Sequence, residues 1–266
     1  MQKYAFLPPA VLLLEDGTIF SGFAVGKIGT STGEICFNTG MTGYQEIYTD
    51  PSYFGQIVVN TTAHIGNYGT KPSEQESVRA KINGMVCNAF SSVYSRYQAE
   101  KSLQAYLTEN EVVAITGVDT RTLVQHIRNK GAMNAVISSE NLDLDFLHQK
   151  LQETPSMKGL ELSSQVSTPK NYTYGNENAS YKIAVLDLGV KENILRCFAE
   201  REVFMQVFPA KTPLSEMQKF NPDGYFISNG PGDPAAMPYA IETVKEILEM
   251  KKPLFGICLG HQILAL

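Results

Sequence analysis

PLFGICLGHQ, running from Pro253 to Gln262, decides how the second half of this chain is read. The apolar run Pro253 to Ile257 has the composition of a buried strand, and the segment Gln262 to Leu266 that of a helix start. Between them stands Cys258, with Gly256 two residues before it and Gly260 two after. A sharp strand-to-helix turn strains its central residue and draws neighbouring main chain close, so both flanking positions must be small. G-x-C-x-G is therefore the thiol counterpart of the G-x-S-x-G nucleophile elbow. The spacing predicts that Cys258 lies at a helix N-terminus, where the positive end of the dipole favours the thiolate, and that the Leu259 N–H is placed to meet an oxyanion. Cys36, Cys87 and Cys197 have no such glycine pair and read as the small buried hydrophobes that most free cysteines are.

Upstream of the elbow, residues 182–266 alternate strand and helix. Strands are expected at Ile183 to Leu188, Val203 to Phe208 and Tyr225 to Ser228, and helices at Glu192 to Glu200, Leu214 to Phe220 and about Ala236 to Lys251. Such alternation predicts an α/β fold with a doubly wound parallel sheet covered on both faces, binding its ligands where loops gather at the carboxyl ends of the strands. Asn229-Gly-Pro-Gly-Asp-Pro234 is one such loop, its two glycines leaving backbone N–H groups open to a carboxylate or oxyanion.

The first half reads differently. A hairpin is expected from Ala10 to Leu14 and Thr18 to Val25, turned at Asp16-Gly17. Further short strands are expected at Glu34 to Asn38, Gln56 to Thr61, Gly84 to Ala89, Val112 to Thr116 and Asn134 to Ser138. Helices are expected at Lys101 to Asn110, at Asp119 to Lys130 with Asp119 as N-cap and Gly131 closing it, and within residues 141–153. The expectation is a β-rich α+β domain over residues 1–150, a polar Ser-, Asn- and Pro-rich linker over 151–181, and the α/β domain over 182–266. GFAVGK, Gly22 to Lys27, imitates a phosphate loop but has too few residues between its glycines, Ile28 where Ser or Thr belongs, and no following helix.

A length of 266 residues suffices for two cored domains, and 43% hydrophobic with 18% charged residues describes an ordinary globular chain. A net charge of −5 argues against nucleic acid or an anionic membrane as partner. The four widely spaced cysteines make neither a disulfide framework nor a C-x-x-C metal pair, so no metal site and a cytoplasmic location are expected. The apolar stretch Ala10 to Leu14 is too short for a membrane span. A thiol nucleophile needs a base, normally histidine. His261 lies on the elbow helix pointing away from the nucleophile's pocket, and His64, His126 and His148 belong to the first domain, so none of the four fits the part.

Together these residues resemble a class I glutamine amidotransferase. LEDGTIFSG, GEICFNTGMTGYQEIYTDPSY, HIGNYGT, VDTRTLVQHIRNKGAMNAVI and LDLGVKENILR narrow the resemblance to the small, glutaminase subunit of carbamoyl phosphate synthetases, over essentially all 266 residues. The resemblance implies a flavodoxin-like second domain, incomplete at its C-terminus. It also implies that Cys258 attacks the side-chain amide of L-glutamine, which is held by Gly230 and Gly232 of the N-G-P-G loop, by Leu259 and Gln262 of the elbow, and by Ser52 of T-D-P-S-Y. It implies no cofactor in this chain. ATP and magnesium are expected on a large synthetase subunit, which makes carbamoyl phosphate from bicarbonate and delivered ammonia for arginine and pyrimidine biosynthesis. Members of the family place a histidine and a glutamate, base and orienting acid, beyond the position of Leu266, so residues 1–266 alone are expected to be inactive. A non-catalytic docking module and a stand-alone thiol hydrolase of similar fold are the alternative readings.

Overall fold

The computed structural model describes residues 7–266, which divide into two compact units. The first comprises the chain up to Thr49 together with Gly55–Ser156. The second comprises Asp50–Phe54 together with Met157–Leu266.

The first unit runs β1 (Pro9–Leu14), β2 (Ile19–Gly26), β3 (Thr30–Asn38), α1 (Tyr44–Thr49), β4 (Gln56–Asn60), β5 (His64–Ile65), β6 (Gly84–Val86), β7 (Ala89–Phe90), α2 (Leu103–Glu109), β8 (Val113–Thr116), α3 (Thr120–Lys130), β9 (Asn134–Ser138) and α4 (Leu144–Glu153). Asp16-Gly17 turns the first hairpin as expected, with Gly17 at φ 87° and its N–H donating to the Leu14 carbonyl at 2.9 Å. Asp119 caps α3 by accepting from the Thr122 N–H at 3.0 Å, and Gly131 ends it at φ 96°. The strands close into a barrel in the order β1-β2-β8-β6-β4-β3-β9, sealed where Leu12 of β1 pairs with Ile137 of β9. Closure leaves no strand edge unpaired around the ring. Leu12, Leu14, Ile35, Ile57, Ile115 and Ile137 fill its interior, and Leu123 and Ile127 of α3 join that core. Each such fully buried aliphatic side chain contributes about 1.5–3 kcal/mol. The strand expected over Gly84 to Ala89 breaks after Val86, because Asn88 is drawn off to the Val118 carbonyl (3.0 Å) and β7 pairs instead with β5.

The second unit runs α5 (Ser163–Val166), β10 (Tyr172–Tyr174), β11 (Tyr181–Asp187), α6 (Glu192–Ala199), β12 (Val203–Pro209), α7 (Leu214–Gln218), β13 (Gly224–Ile227), α8 (Pro238–Glu249), β14 (Leu254–Gly256) and α9 (Leu259–Leu264). Its sheet order is β10-β12-β11-β13-β14, with β11 to β14 mutually parallel. Successive residues of β11 point to opposite faces. Ala184 and Leu186 pack with Val244, Ile247, Leu259 and Ile263, whereas Val185 packs with Leu195, Val207 and Phe226. A sheet buried on both faces is what the alternation of strand and helix predicted.

Two expectations change here. The stretch 151–181 is not an unstructured linker: its beginning completes α4, and from Met157 it belongs to the second unit, where β10 adds an antiparallel edge to β12 through Thr173 and Gln206. The elbow strand is shorter and less buried than its composition suggests. It spans three residues at the sheet edge, and Phe255 is 60% exposed while stacking against Phe226.

Candidate active site

The elbow adopts the backbone its sequence demands. Cys258 is the N-cap of α9, at φ 52° and ψ −111°, one of only five non-glycine residues with positive φ among those described. Left-handed backbone costs a side-chain-bearing residue of order 1–3 kcal/mol, so it persists where surrounding structure enforces it. The enforcement is visible at the two glycines. A methyl on Gly256 would lie 2.6 Å from the Gly260 carbonyl carbon and oxygen, and one on Gly260 would lie 2.2 Å from the Ile227 carbonyl oxygen. Both obstacles are main chain and cannot rotate away. Hydrogen bonds then fasten the turn to the end of β13, from the Ile257 N–H to the Ile227 carbonyl (3.2 Å) and from the Gly260 N–H to the Ser228 carbonyl (3.1 Å). The Cys258 residue is exposed. The Leu259 side chain is sunk in the core at 1% exposure, which leaves its backbone as the part that faces the turn, while Gln262 is exposed one helical turn on.

The loop after β13 is held with equal firmness. Ser228 Oγ accepts from the Leu188 N–H (2.9 Å) and donates to the Asn229 carbonyl (2.7 Å). Gly230 lies against Leu188, whose carbonyl oxygen would be 2.0 Å from an added methyl, and Gly232 is at φ 97°. Residues 159–163, inside the stretch that reads as a linker, strap this loop down. Glu161 bridges to Gly232, the Asp233 N–H donates to the Leu160 carbonyl (2.9 Å), the Gly159 N–H to Asp233 Oδ2 (2.8 Å), and Ser163 Oγ to the Pro231 carbonyl (3.1 Å). The N–H donors of Gly159 and Ala235 hold the Asp233 carboxyl below its ordinary range. Burial pushes the Glu161 carboxyl up, but hydrogen bonds from the Ser164 hydroxyl and N–H and from the Tyr239 hydroxyl outweigh it, and the net shift is downward.

Ser52 belongs to this unit and not to the barrel, since Asp50–Phe54 clusters with the residues after Met157. The expectation that placed it in the first domain is corrected accordingly. The short 3₁₀ turn Pro51–Tyr53 is capped by Asp50, whose Oδ1 accepts from the Ser52 N–H at 2.9 Å and whose Oδ2 is ion-paired with Lys191 Nζ at 3.0 Å. Asn229 Nδ2 donates to Ser52 Oγ at 2.9 Å. Asp187 organises the neighbouring turn, accepting at Oδ1 from the N–H groups of Gly189 and Val190 and at Oδ2 from that of Thr168.

The fold thus gathers the elbow, the Asn229–Pro234 loop and the Ser52 turn, linked through Ser228 and Asn229. Asp50, Asp187 and Lys191 were not singled out by the sequence reading, and Asn229 entered it only as the first residue of its loop. Asp before Pro in T-D-P-S-Y is a legible local capping signal, but the partners it acquires lie far along the chain. Among the described residues, no group of three or more His, Cys, Asp or Glu side chains is placed to hold a metal ion, and no helix is long and apolar enough to cross a membrane. Of the histidines, His126 is held by Asp16 at 2.7 Å in the first unit, and His261 is exposed on α9.

The parallel sheet and its thiol elbow define a class, and residues 184–266 match the family model described as glutamine amidotransferase class-I. Residues 12–137 match a second model, the CPSase domain of the carbamoyl-phosphate synthase small chain. Among curated relatives, the carbamoyl phosphate synthase small chain of Chlorobaculum tepidum is 46% identical over 97% of this chain and 71% of its own length. Those of a Synechococcus species and of Pseudomonas putida are each 45% identical, over 96% and 97% of this chain and 68% and 72% of their own lengths. The chain belongs to the carbamoyl phosphate synthase small chain family and spans about 70% of the length of these relatives.

Proposed function

We propose that this chain is the glutamine-hydrolysing subunit of a carbamoyl phosphate synthase and that Cys258 is its nucleophile. The carrying observation is the left-handed backbone of Cys258 between two glycines that have no room for a methyl. The thiolate adds to the amide carbon of L-glutamine, and the resulting oxyanion accepts from the Leu259 N–H. The C–N bond breaks, ammonia leaves with a proton from a general acid, and water cleaves the glutamyl thioester to glutamate and free thiolate. Gly230 and Gly232 hold glutamine through their backbone, Gln262 through its side chain and Ser52 through its hydroxyl. Ammonia released to water at neutral pH would be protonated and lose its nucleophilicity. It therefore passes to a large synthetase subunit, which carries ATP and magnesium and activates bicarbonate; none of these cofactors is needed on this chain.

Because none of the four histidines within residues 1–266 suits the acid's role, residues 1–266 by themselves are expected to turn over glutamine poorly. The test uses the chain carried to the length of its relatives and assembled with a large subunit. Cys258→Ser should abolish glutamate release from glutamine and leave ammonia-dependent carbamoyl phosphate synthesis intact. Retained glutaminase activity in that variant overturns the mechanism. Glutamate release by residues 1–266 alone, at the rate of the assembled enzyme, overturns the assignment of the acid outside them.

A further inference from the structure

We propose that the first unit holds a second binding site, walled by Gln45 of α1, by residues 70–78 and by α2 with the chain leading into it, and that this site takes a small free α-amino acid as its zwitterion. It shares no residue with the elbow, the Asn229–Pro234 loop or the Ser52 turn.

A cavity of about 210 Å³ opens there, and its lining includes Gln45, Thr70, Lys71, Glu100 and Tyr106. Pockets for drug-sized ligands run to roughly 300–1,000 Å³, so the occupant of this one is small. Its most buried wall is polar, with Gln45 1% exposed, Thr70 3% and Tyr106 5%. The Tyr106 hydroxyl is buried without a hydrogen-bond partner among the described residues, and Gln75 nears it without completing a bond. Burial pushes the phenol up to about 12, so at neutral pH it keeps its proton and donates. A buried hydroxyl left unpaired is costly, and a ligand atom that accepts from it explains a tyrosine at this place. Gln45 Oε1 is taken by the Lys71 N–H at 2.7 Å, so its amide nitrogen is what Gln45 has to offer. Both groups present hydrogen, and a carboxylate, which only accepts, suits them.

The rim adds one uncompensated charge of each sign. Lys101 and Glu109 pair at 2.6 Å and cancel. Thr70 and Lys101 form an isolated antiparallel bridge, with the Glu100 N–H donating to the Thr70 carbonyl at 2.9 Å, so Lys71 stands across from Glu100. Among the described residues neither of these two belongs to an ion pair. Lys71 Nζ meets the neutral Gln98 side chain at 3.2 Å, which leaves its charge uncompensated. A simple anion would be opposed by Glu100, and a simple cation by Lys71 and the two neutral donors. A molecule with a carboxylate and an ammonium on neighbouring atoms answers both: the carboxylate accepts from Tyr106, Gln45 and Lys71, and the ammonium donates to Glu100.

The probes are L-norvaline, which carries both charges, valerate, which keeps only the carboxylate, and butylamine, which keeps only the ammonium. Saturation-transfer NMR follows their binding to the assembled enzyme in the wild type, Tyr106→Phe and Glu100→Gln. Sites elsewhere are common to all three proteins, so the differences isolate this cavity. Tyr106→Phe should weaken norvaline and valerate about ten- to hundredfold, and Glu100→Gln should weaken norvaline and butylamine while leaving valerate unharmed. Without ligand, Tyr106→Phe should melt no lower than the wild type, because it removes an unpaired hydroxyl, and both variants should release glutamate at the wild-type rate. Equal norvaline affinity in the wild type and Tyr106→Phe overturns the site, and so does failure of every probe to bind, which leaves a cavity for water. Norvaline binding that ignores Glu100→Gln, with valerate bound as tightly, overturns the zwitterion. A marked fall in the melting temperature of ligand-free Tyr106→Phe also counts against the proposal, since it shows the hydroxyl already partnered.

Discussion

Substituting alanine for Gly260 tests whether the elbow is built by steric necessity. The new methyl would stand 2.2 Å from the Ile227 carbonyl oxygen, 2.8 Å from its carbon and 2.9 Å from the Ser228 carbonyl oxygen. Ordinary contact begins near 3.4 Å, so the start of α9 must retreat from β13 by roughly 1 Å, at the 1–3 kcal/mol typical of overpacking. That retreat stretches the bond from the Gly260 N–H to the Ser228 carbonyl and carries Cys258 with it. A misplacement of about 1 Å in a reacting group costs on the order of 10²-fold in rate. Glutamate release by Gly260→Ala in the assembled enzyme should therefore fall about a hundredfold, through kcat more than KM, with a modest drop in melting temperature. The comparison is Gly131→Ala, at φ 96° with open space around it, which should cost about 1–3 kcal/mol of stability and no activity. Near-normal turnover in Gly260→Ala with an unchanged melting temperature would refute the steric account of the elbow.

Thiol reactivity should divide the four cysteines. Burial pushes the thiols of Cys36 and Cys87 up to about 12, with Glu34 adding to the effect at Cys36, whereas Cys197 and Cys258 are exposed. Iodoacetamide near pH 8 followed by peptide mass spectrometry should label Cys197 and Cys258 in the native chain and the other pair only after unfolding; rapid native labelling of Cys87 contradicts this. The strap over the Gly232 loop should loosen in acid. Since the Glu161 carboxyl is held below its ordinary 4.5, its contribution is fully present above that pH and is lost as pH falls through the lower folded value. Acid unfolding of Glu161→Gln should show a smaller loss over that window than the wild type, and parallel curves would remove Glu161 from the strap.

What the sequence makes legible is what lies close along the chain. The elbow is declared by five consecutive residues, and the obstacles facing Gly256 and Gly260 are the reason that spacing is informative. The strand and helix alternation of the second unit is equally local, as are the Asp16-Gly17 turn and the Asp119 cap. The barrel is not legible, because its closure depends on β1 meeting β9 and on parallel pairing of β4, β6 and β8, none of which leaves a mark on neighbouring residues. Residues 151–181 read as a linker because their polar and Pro-rich composition is that of a loop. The bonds from Leu160 and Gly159 to Asp233 use main chain and so leave no compositional trace. Ser52 was reached through family resemblance alone, and its membership of the second unit is a long-range fact.

That membership has a consequence for how the molecule is made. Ser52 and Asn229 are 177 positions apart, so at a synthesis rate of about 5–20 residues per second the serine waits roughly 10–35 s on the ribosome for its partner to exist. A gene fragment beginning at Met157 would encode every strand of the second sheet and still lack the hydroxyl. The amidotransferase unit is therefore discontinuous in the gene, and its site is among the last features of residues 1–266 to assemble.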